Sequence, residues 1–278
     1  MNEAEPSPTA LSSAAARAAH LVADGAPAVF EDAVAPRLVG ALAAEMIGYH
    51  RTHGDHIILA GTRAITTVRS RYTERRIGPH GQYVVLGAGL DTYGYRADPG
   101  VRVFEVDRPA TQEWKKGLLE AAGIPVPENV VFVPVDFETE DPVERLASAG
   151  LDLGRTALVG WLGVSYYLTR AAVARTLEAI AQLAPGSELV LDYALPDGLR
   201  DAEGDAYAEI AARVVRERGE PQRSLFAPAE IDALLAVHGF EVAENVTVRD
   251  AVPARLWRRD DALRPFDFFR LVRATVTG

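Results

Sequence analysis

Glycine and aspartate residues stand where three successive apolar runs of this chain end. Gly87 and Gly89 follow the run QYVVL, Asp107 closes VRVFEVD, and Asp136 follows VVFVPV. Glycine lets a backbone bend sharply and approach a ligand, while a carboxylate accepts hydrogen bonds from hydroxyl and amino groups. In a doubly wound sheet, ligands bind at the carboxyl ends of the strands. We therefore predict a ligand site where Asp107 binds ribose hydroxyls and Asp136 binds an adenine amino group.

The residues after the glycine turn argue against a dinucleotide. A dinucleotide fingerprint needs a third glycine at position 92, so that the following helix can approach a pyrophosphate. This chain has Thr92 there, and Asp91 places a carboxylate where it would repel a pyrophosphate. An adenosyl ligand that lacks phosphate and has a cationic end fits better. For each residue alone, a plain turn or a helix-capping aspartate is the alternative interpretation.

Helical patterns occupy the chain up to residue 80. An N-cap and strong helix formers begin at Thr9, in TALSSAAARAAHLVAD, and a second helical stretch begins at Asp32. A third helix is predicted over residues 60–77, before a glycine and a proline. We predict a disordered tip over residues 1–8 and a helical cap over residues 9–80.

From residue 81 onward, apolar runs alternate with helical segments. The runs are QYVVLG, VRVFEVD, VVFVPVD, TALVGWL and ELVLDYAL. Strands that alternate with helices at this spacing form βαβ units and a mostly parallel sheet. GFEVAENVTV and FDFFRLVRATV are predicted to close the sheet as an antiparallel pair. The expected fold is α/β, with a doubly wound, mostly parallel sheet over residues 81–278 that forms one structural unit with the cap.

Composition and charge restrict the class of partner. The chain has 29 basic and 39 acidic residues, a formal net charge of -10, which argues against binding to nucleic acid. It contains no cysteine, which excludes disulfides and thiolate chemistry. The start, MNEAEPSPTA, lacks the features of a secretory signal, and no apolar run is long enough to span a bilayer. We expect a soluble, cytoplasmic protein that binds a small molecule.

A set of motifs covers most of the chain: LGAGLDT with Arg96 behind it, FEVDRPA, VPVDF, GWLGVSYYLT, FAPAEIDALLAVHGFEV and, near the start, TALSSAAARAAH. Together they resemble the leucine carboxyl methyltransferase-like group of class I S-adenosylmethionine-dependent methyltransferases. The resemblance implies a Rossmann-like fold, S-adenosyl-L-methionine as the cofactor and methyl transfer as the activity. It also implies that the turn with Gly87 and Gly89 lies at the methionine part of the cofactor and Asp107 at the ribose.

The resemblance assigns further cofactor contacts. Asp136 and the backbone of Phe137 would lie at the adenine. An arginine in the helix before the first strand would bind the cofactor carboxylate, and Arg63 stands there. A guanidinium suits this role because it can pair with a carboxylate through two hydrogen bonds. Arg17 is a second candidate, and a solvated helix arginine is the alternative for Arg63.

One residue departs from the pattern of the family. The family usually has a glutamate in the motif of the fourth strand, where this chain reads WLGV and has Leu162. A glutamate there would lie near the ammonium group of the cofactor, and a leucine cannot pair with that group. Loss of such a charged hydrogen bond costs about 1.5–3 kcal/mol. We therefore expect weaker cofactor binding.

Tyrosines and histidines provide the remaining candidates. Tyr166 and Tyr193 are predicted at the ends of the fourth and fifth strands, where they could border the substrate pocket as the catalytic candidates. His50, His53 and His56 could suggest a metal site, but the sequence HRTHGDHI places a glycine among them. A polar turn between helices is the preferred interpretation, so no metal is predicted.

The favoured function is S-adenosylmethionine-dependent O-methylation of a small-molecule carboxylate or hydroxyl, in secondary metabolism. A carboxylate is already nucleophilic, so its methylation requires alignment and exclusion of water more than a base. The absence of a glutamate at position 162 motivates one alternative, a fold repurposed for a cyclisation or isomerisation. The second alternative is a noncatalytic binding or regulatory subunit.

Overall fold

The computed structural model of the protein describes residues 7–96, 99–217 and 221–278. Most of the predicted disordered tip, residues 1–6, lies outside these described residues. The prediction is wrong for the last two positions of the tip. Ser7 caps helix α1 (Pro8–Ala23) by accepting a hydrogen bond from the backbone N–H of Ala10, and Pro8 is the first helical residue. Proline is favoured there because its missing N–H would have no partner in the first turn.

Further helices lie within residues 9–80, and the predicted second helix is interrupted. The elements are α2 (Ala35–Leu38), a 3-10 turn (Gly40–Leu42), α3 (Ala43–His53) and α4 (Ile57–Glu74). Gly40 has a φ of 68°, which an α-helix cannot contain, so the predicted stretch from Asp32 breaks at this residue. The carboxylate of Asp32 accepts hydrogen bonds from the N–H groups of Val34 and Ala35 at the start of α2.

The sheet confirms the predicted α/β topology. Its strands are β1 (Gln82–Leu86), β2 (Arg102–Asp107), β3 (Val130–Pro134), β4 (Leu158–Trp161), β5 (Glu188–Ala194), β6 (Phe240–Thr247) and β7 (Phe269–Val276). Within the described residues, the seven strands have the order β3-β2-β1-β4-β5-β7-β6, and the first five in this order are parallel. β7 pairs antiparallel with both β5 and β6, as predicted for the closing pair.

Helices cover both faces of the sheet. The helices after the cap are α5 (Pro109–Ala121), α6 (Pro142–Ser148), α7 (Arg170–Ile180), α8 (Ala202–Glu217) and α9 (Pro228–Val237). One core contains Val84 of β1 with Leu177 of α7, and the other contains Val85 of β1 with Val68 of α4. Neighbouring strand residues point to opposite faces, so α4 is packed directly on the sheet. In the described part of the chain, no helix is long and apolar enough to cross a membrane.

A buried ion pair joins β2, near its carboxyl end, to helix α5. Lys115 of α5 places Nζ 2.7 Å from Oε2 of Glu105, and both side chains are 1% exposed. The hydroxyl of Tyr95 donates to the same carboxylate oxygen at 3.2 Å. Burial raises the pKa of Glu105, and the nearby Lys115 ammonium opposes this shift. Since Glu105 precedes Asp107 by two residues on one strand, the pair supports the strand end that carries the predicted ribose ligand.

We predict that Lys115→Met destabilises the fold by about 3–5 kcal/mol, because it leaves the Glu105 carboxylate buried without its cation. The double variant Glu105→Gln/Lys115→Met removes both charges and should be destabilised less. Urea unfolding at pH 8 measures both free energies. Equal losses in the single and double variants would contradict the prediction.

Candidate functional site

A cavity of about 410 Å³ lies at the carboxyl ends of the parallel strands. We call it the strand-end cavity. Five of the six predicted cofactor-binding residues border it: Gly87, Gly89, Asp107, Asp136 and Phe137. They come from the last residue of β2 and from the loops after β1 and β3, which the parallel topology brings to one edge of the sheet.

The glycine turn wraps closely around the end of β2. Gly87 and Gly89 have φ values of 70° and 47°, in the left-handed region that favours glycine. A Cβ atom on Gly87 would overlap the side chain of Val164. The N–H of Gly89 donates to Oδ2 of Asp107 at 2.6 Å, which joins the turn to the neighbouring strand end. The turn therefore brings its backbone close to the cavity at two residues that have no side chain.

Asp107 is held from two sides and still borders the cavity. Its Oδ1 accepts the N–H of Arg108 at 2.7 Å, while its Oδ2 accepts the N–H of Gly89. Burial raises the pKa of this carboxyl group, although the two N–H donors lower it. Each carboxylate oxygen can accept a further hydrogen bond, so Asp107 can bind the two hydroxyls of a ribose without moving.

Asp136 forms the next part of the cavity, after β3. Its Oδ1 accepts the N–H of Glu138 at 3.0 Å, and its own N–H donates to Oε2 of Glu140 at 2.9 Å. These bonds fix the loop that also carries Phe137, whose side chain is buried. The loop provides an acceptor and an apolar ring, which are suitable contacts for an adenine.

The structure does not bring Arg63 to the strand-end cavity. Arg63 is 1% exposed, and its Nε and Nη2 donate to the two oxygens of Asp24 at 2.8 Å each. Its Nη1 lies 3.1 Å from Nδ1 of His50, and its Nη2 also donates to the carbonyl oxygen of Gly54 at 3.0 Å. The guanidinium thus pairs with the buried carboxylate of Asp24 inside the cap. The expectation that Arg63 binds the cofactor carboxylate is therefore corrected.

Four of the arginines that the structure describes border the strand-end cavity: Arg17, Arg69, Arg108 and Arg223. Arg17, the second candidate from the sequence, donates to Oδ2 of Asp32 at 2.9 Å and to the carbonyl oxygen of Leu90 at 2.7 Å. Arg69 of α4, which the sequence analysis missed, donates to Oδ2 of Asp192 at 2.9 Å. Burial opposes the charge of Arg69, but the attraction of Asp192 outweighs it and raises the pKa of Arg69.

A second cavity of about 640 Å³ lies under the cap, and we call it the cap cavity. It is bordered by residues of α1, α3, α4 and α8 and by the aromatic rings of Tyr49, Tyr166, Tyr167, Tyr207 and Phe269. Both cavities share a set of lining residues: Thr9, Ser13, Arg69, Tyr166 and Tyr167. The two cavities therefore meet at these residues.

The two predicted catalytic tyrosines have different positions. Tyr166 borders both cavities, and its hydroxyl lies 3.4 Å from Nη1 of Arg69. Burial raises its pKa well above the usual value of 10.0. Tyr193 borders neither cavity, since its hydroxyl donates to Oδ1 of Asn245 at 2.8 Å on the face of β5 opposite to Asp192. Burial raises the pKa of Tyr193 to about 12, and the expectation that it is catalytic is corrected.

Leu162, which stands where the family usually has a glutamate, borders the strand-end cavity. The next residue, Gly163, donates its N–H to Oδ1 of Asp192 at 2.6 Å. The carboxylate of Asp91 borders the same cavity and accepts the N–H of Tyr93 through one oxygen. An acidic group thus remains in this cavity although position 162 has none.

The three histidines of HRTHGDHI do not assemble into a metal site. Helix α3 ends at His53, and Gly54 follows it. His56 caps α4 by accepting the N–H of Ile58 at its Nδ1. Within residues 7–96, 99–217 and 221–278 no group of three or more metal-ligating side chains occurs.

The fold and the glycine turn beside acidic strand ends define a class I, Rossmann-like methyltransferase architecture. A Streptomyces avermitilis protein of the duf574 family superposes with a TM-score of 0.59 at 19% identity, covering 94% of this chain and 96% of that protein. A Thermobifida fusca protein superposes with a TM-score of 0.55 at 19% identity, covering 99% of this chain and 96% of that protein. At this identity the likeness shows the fold alone.

The sequence matches the leucine carboxyl methyltransferase family over residues 10–181, and the chain belongs to this family. A Bacillus subtilis relative, described as "Putative S-adenosyl-L-methionine-dependent methyltransferase YktD", is 35% identical over 198 residues, 69% of this chain and 64% of that protein. A Mycolicibacterium smegmatis relative with the same general description is 32% identical over 55% of this chain and 48% of its own length. The matches thus span about half to two thirds of these relatives.

We predict that Asp107→Asn weakens binding of S-adenosylhomocysteine roughly 10- to 150-fold, because it removes a charged acceptor worth about 1.5–3 kcal/mol. Isothermal titration calorimetry measures the affinity. Asp152→Asn is a matched control, since the exposed Asp152 also accepts the N–H of a glycine, Gly154, at 2.9 Å but borders neither cavity. Equal affinities for Asp107→Asn and Asp152→Asn would place the ribose elsewhere.

Proposed function

We propose that this chain transfers a methyl group from S-adenosyl-L-methionine to an oxygen of a small molecule, a carboxylate or a hydroxyl, in secondary metabolism. One observation carries the proposal. The strand-end cavity, with the features of an adenosyl site, opens beside Arg69 and Tyr166 into the cap cavity, which has room for a second molecule. Cavities of about 300–1,000 Å³ are typical of small-molecule sites.

The residues of the strand-end cavity fit the parts of the cofactor. Asp107 would bind the ribose, and the loop with Asp136 and Phe137 would hold the adenine. The methionine part would lie along the backbone of Gly87 and Gly89, which border the cavity. At the end of that part, Arg17 is a cation available for the carboxylate and Asp91 is an anion available for the ammonium.

Bound S-adenosylmethionine supplies an electrophilic methyl group on a sulfonium sulfur, and transfer breaks the carbon–sulfur bond as the new oxygen–carbon bond forms. The protein would hold the two reactants in line where the cavities meet, beside Arg69 and Tyr166. Cap helices α1 and α4 contribute Thr9, Ser13 and Arg69 to this junction and would help to exclude water from it. Alignment and exclusion of water are the contributions that such a displacement needs most.

The groups at the junction favour an acceptor that is already ionised. Burial raises the pKa of Tyr166, and Arg69 keeps its charge through Asp192. Neither side chain can take a proton from a hydroxyl at neutral pH. A carboxylate needs no base, since it is ionised above its ordinary pKa of about 4. We therefore favour a carboxylic acid over an alcohol as the acceptor, and the aromatic lining of the cap cavity suits a ring compound.

Leu162 supports the alternative of a fold repurposed for another reaction, since the family pattern has an acidic residue there. The Asp91 carboxylate in the same cavity weakens that argument, because it provides an anion for the cofactor ammonium. We therefore keep methyl transfer as the proposal. Substitutions at position 162 test whether the cofactor ammonium lies beside this residue.

We predict that Leu162→Glu binds S-adenosylhomocysteine about tenfold more tightly than Leu162→Gln, which has almost the same shape but no charge. Calorimetry of the two variants measures the difference, and comparison of matched variants cancels the effect of lost leucine packing. Equal affinities would show that the cofactor ammonium does not lie beside position 162.

The proposed activity is tested with a donor that carries a deuterated methyl group and a panel of aromatic carboxylic acids and phenols. We expect S-adenosylhomocysteine and an acceptor heavier by one labelled methyl group, with alkali-labile ester products from the acids. Asp107→Asn should lower the yield at limiting donor, whereas Asp152→Asn should not. Mass spectrometry detects both products. A converted compound of unchanged mass would overturn methyl transfer and support the repurposed reaction.

A further inference from the structure

His50 occupies an unusual position at the border of the cap cavity. It lies near the end of α3 and is 6% exposed. Its Nδ1 is 3.1 Å from Nη1 of Arg63. The other ring nitrogen, Nε2, has no hydrogen-bond partner among the described residues. It keeps some contact with solvent. One ring nitrogen is therefore used by the protein, and the other has no partner among the described residues, in a side chain that borders the cavity.

The partner of His50 fixes the location of its proton. A guanidinium can only donate, so Nδ1 of His50 must present a lone pair to Arg63. Arg63 is itself held by both oxygens of Asp24 and by the carbonyl oxygen of Gly54. Burial and the positive charge of Arg63 lower the pKa of His50 to about 4, although Asp24 acts in the opposite direction. The ring is thus neutral at pH 7 and carries its single proton on Nε2.

We infer that His50 is a specificity residue of the acceptor site, which donates its Nε2–H to a carbonyl or carboxylate oxygen of the acceptor and does not remove a proton from it. This inference rests on the proposed function, because it takes the cap cavity as the acceptor site. The role follows from the Arg63 contact, which leaves a donor and no free lone pair on the ring.

The position of His50 also indicates the shape of the acceptor. Arg63, which holds the imidazole, and Arg69, at the junction of the cavities, are six residues apart on α4. This separation corresponds to about 9 Å along the helix axis. An acceptor that reaches both places must carry its second oxygen several ångströms from the oxygen that is methylated. The expected class is a ring compound with a carboxylate at one end and a carbonyl group at the other.

Ring nitrogen resonances of His50 give the first test, which needs no acceptor. In protein labelled with nitrogen-15 and loaded with S-adenosylhomocysteine, we expect the neutral form with the proton on Nε2 from pH 8 down to pH 5. His53 and Glu45 also border the cap cavity, and both are exposed. A proton on Nδ1, or titration of His50 near pH 6.5, would overturn the inference.

Two variants of His50 separate the donor role from support of Arg63. His50→Asn can keep an acceptor near the position of Nδ1 but has no distal N–H. His50→Gln reaches the position of Nε2 with an N–H but leaves Arg63 without this acceptor. The probes are 4-acetylbenzoate and 4-isopropenylbenzoate, which have similar shapes but differ in the carbonyl oxygen. Binding is measured by calorimetry on protein loaded with S-adenosylhomocysteine.

For 4-acetylbenzoate, we expect His50→Asn to bind at least tenfold more weakly than wild type and His50→Gln to bind within threefold. For 4-isopropenylbenzoate, the three proteins should have similar affinities. The inference would be overturned if His50→Gln bound both probes weakly and His50→Asn bound them like wild type. That result would show that His50 only supports Arg63. Failure of both probes to bind wild type would overturn the expected acceptor class. Failure of S-adenosylhomocysteine to bind would instead refute the proposed function.

Discussion

The ion pair between Arg69 and Asp192 is the interaction on which the site depends. Asp192 is fully buried on β5, and Arg69 reaches it from cap helix α4 at 2.9 Å. The other carboxylate oxygen of Asp192 accepts the N–H of Gly163, and its backbone carbonyl oxygen accepts the hydroxyl of Ser165. Removal of one partner from a buried pair is strongly destabilising, because the other charge stays buried. The pair thus fixes the cap and the loop after β4 against the sheet.

The proposed cofactor site and the proposed acceptor site are built from different sets of residues. The strand-end cavity lies at the ends of the sheet strands, and the placement of its glycine turn and carboxylates follows from the parallel topology. The cap helices α1 and α4 add Arg17 and Arg69 to its border. The cap provides the second cavity, and Asp32 adds another connection between cap and sheet. Its carboxylate accepts Arg17 from α1 and the hydroxyl of Thr92 from the loop after β1. Changes in α3 can therefore alter the cap cavity without changing a residue that borders the strand-end cavity.

The sequence was sufficient for the features that depend on chain direction and local pattern. Asp107 and Asp136 could be placed together because both follow strands that end at one edge. Tyr193 could not be placed, since its side chain points to the opposite face from Asp192, and the sequence alone does not show which face the cap covers. Arg63 and Arg69 are a similar case. They lie on one helix, but their roles depend on the burial of Asp24 and Asp192, which is set by tertiary packing.

The central claim is that the cofactor and the acceptor meet beside Arg69 and Tyr166. A crystal structure of the protein with S-adenosylhomocysteine tests it most directly. The account predicts that the ribose hydroxyls bind Asp107 and that the sulfur points through the opening beside Tyr166 toward the cap cavity. A ligand bound outside the strand-end cavity, or a sulfur directed away from the cap cavity, would contradict it.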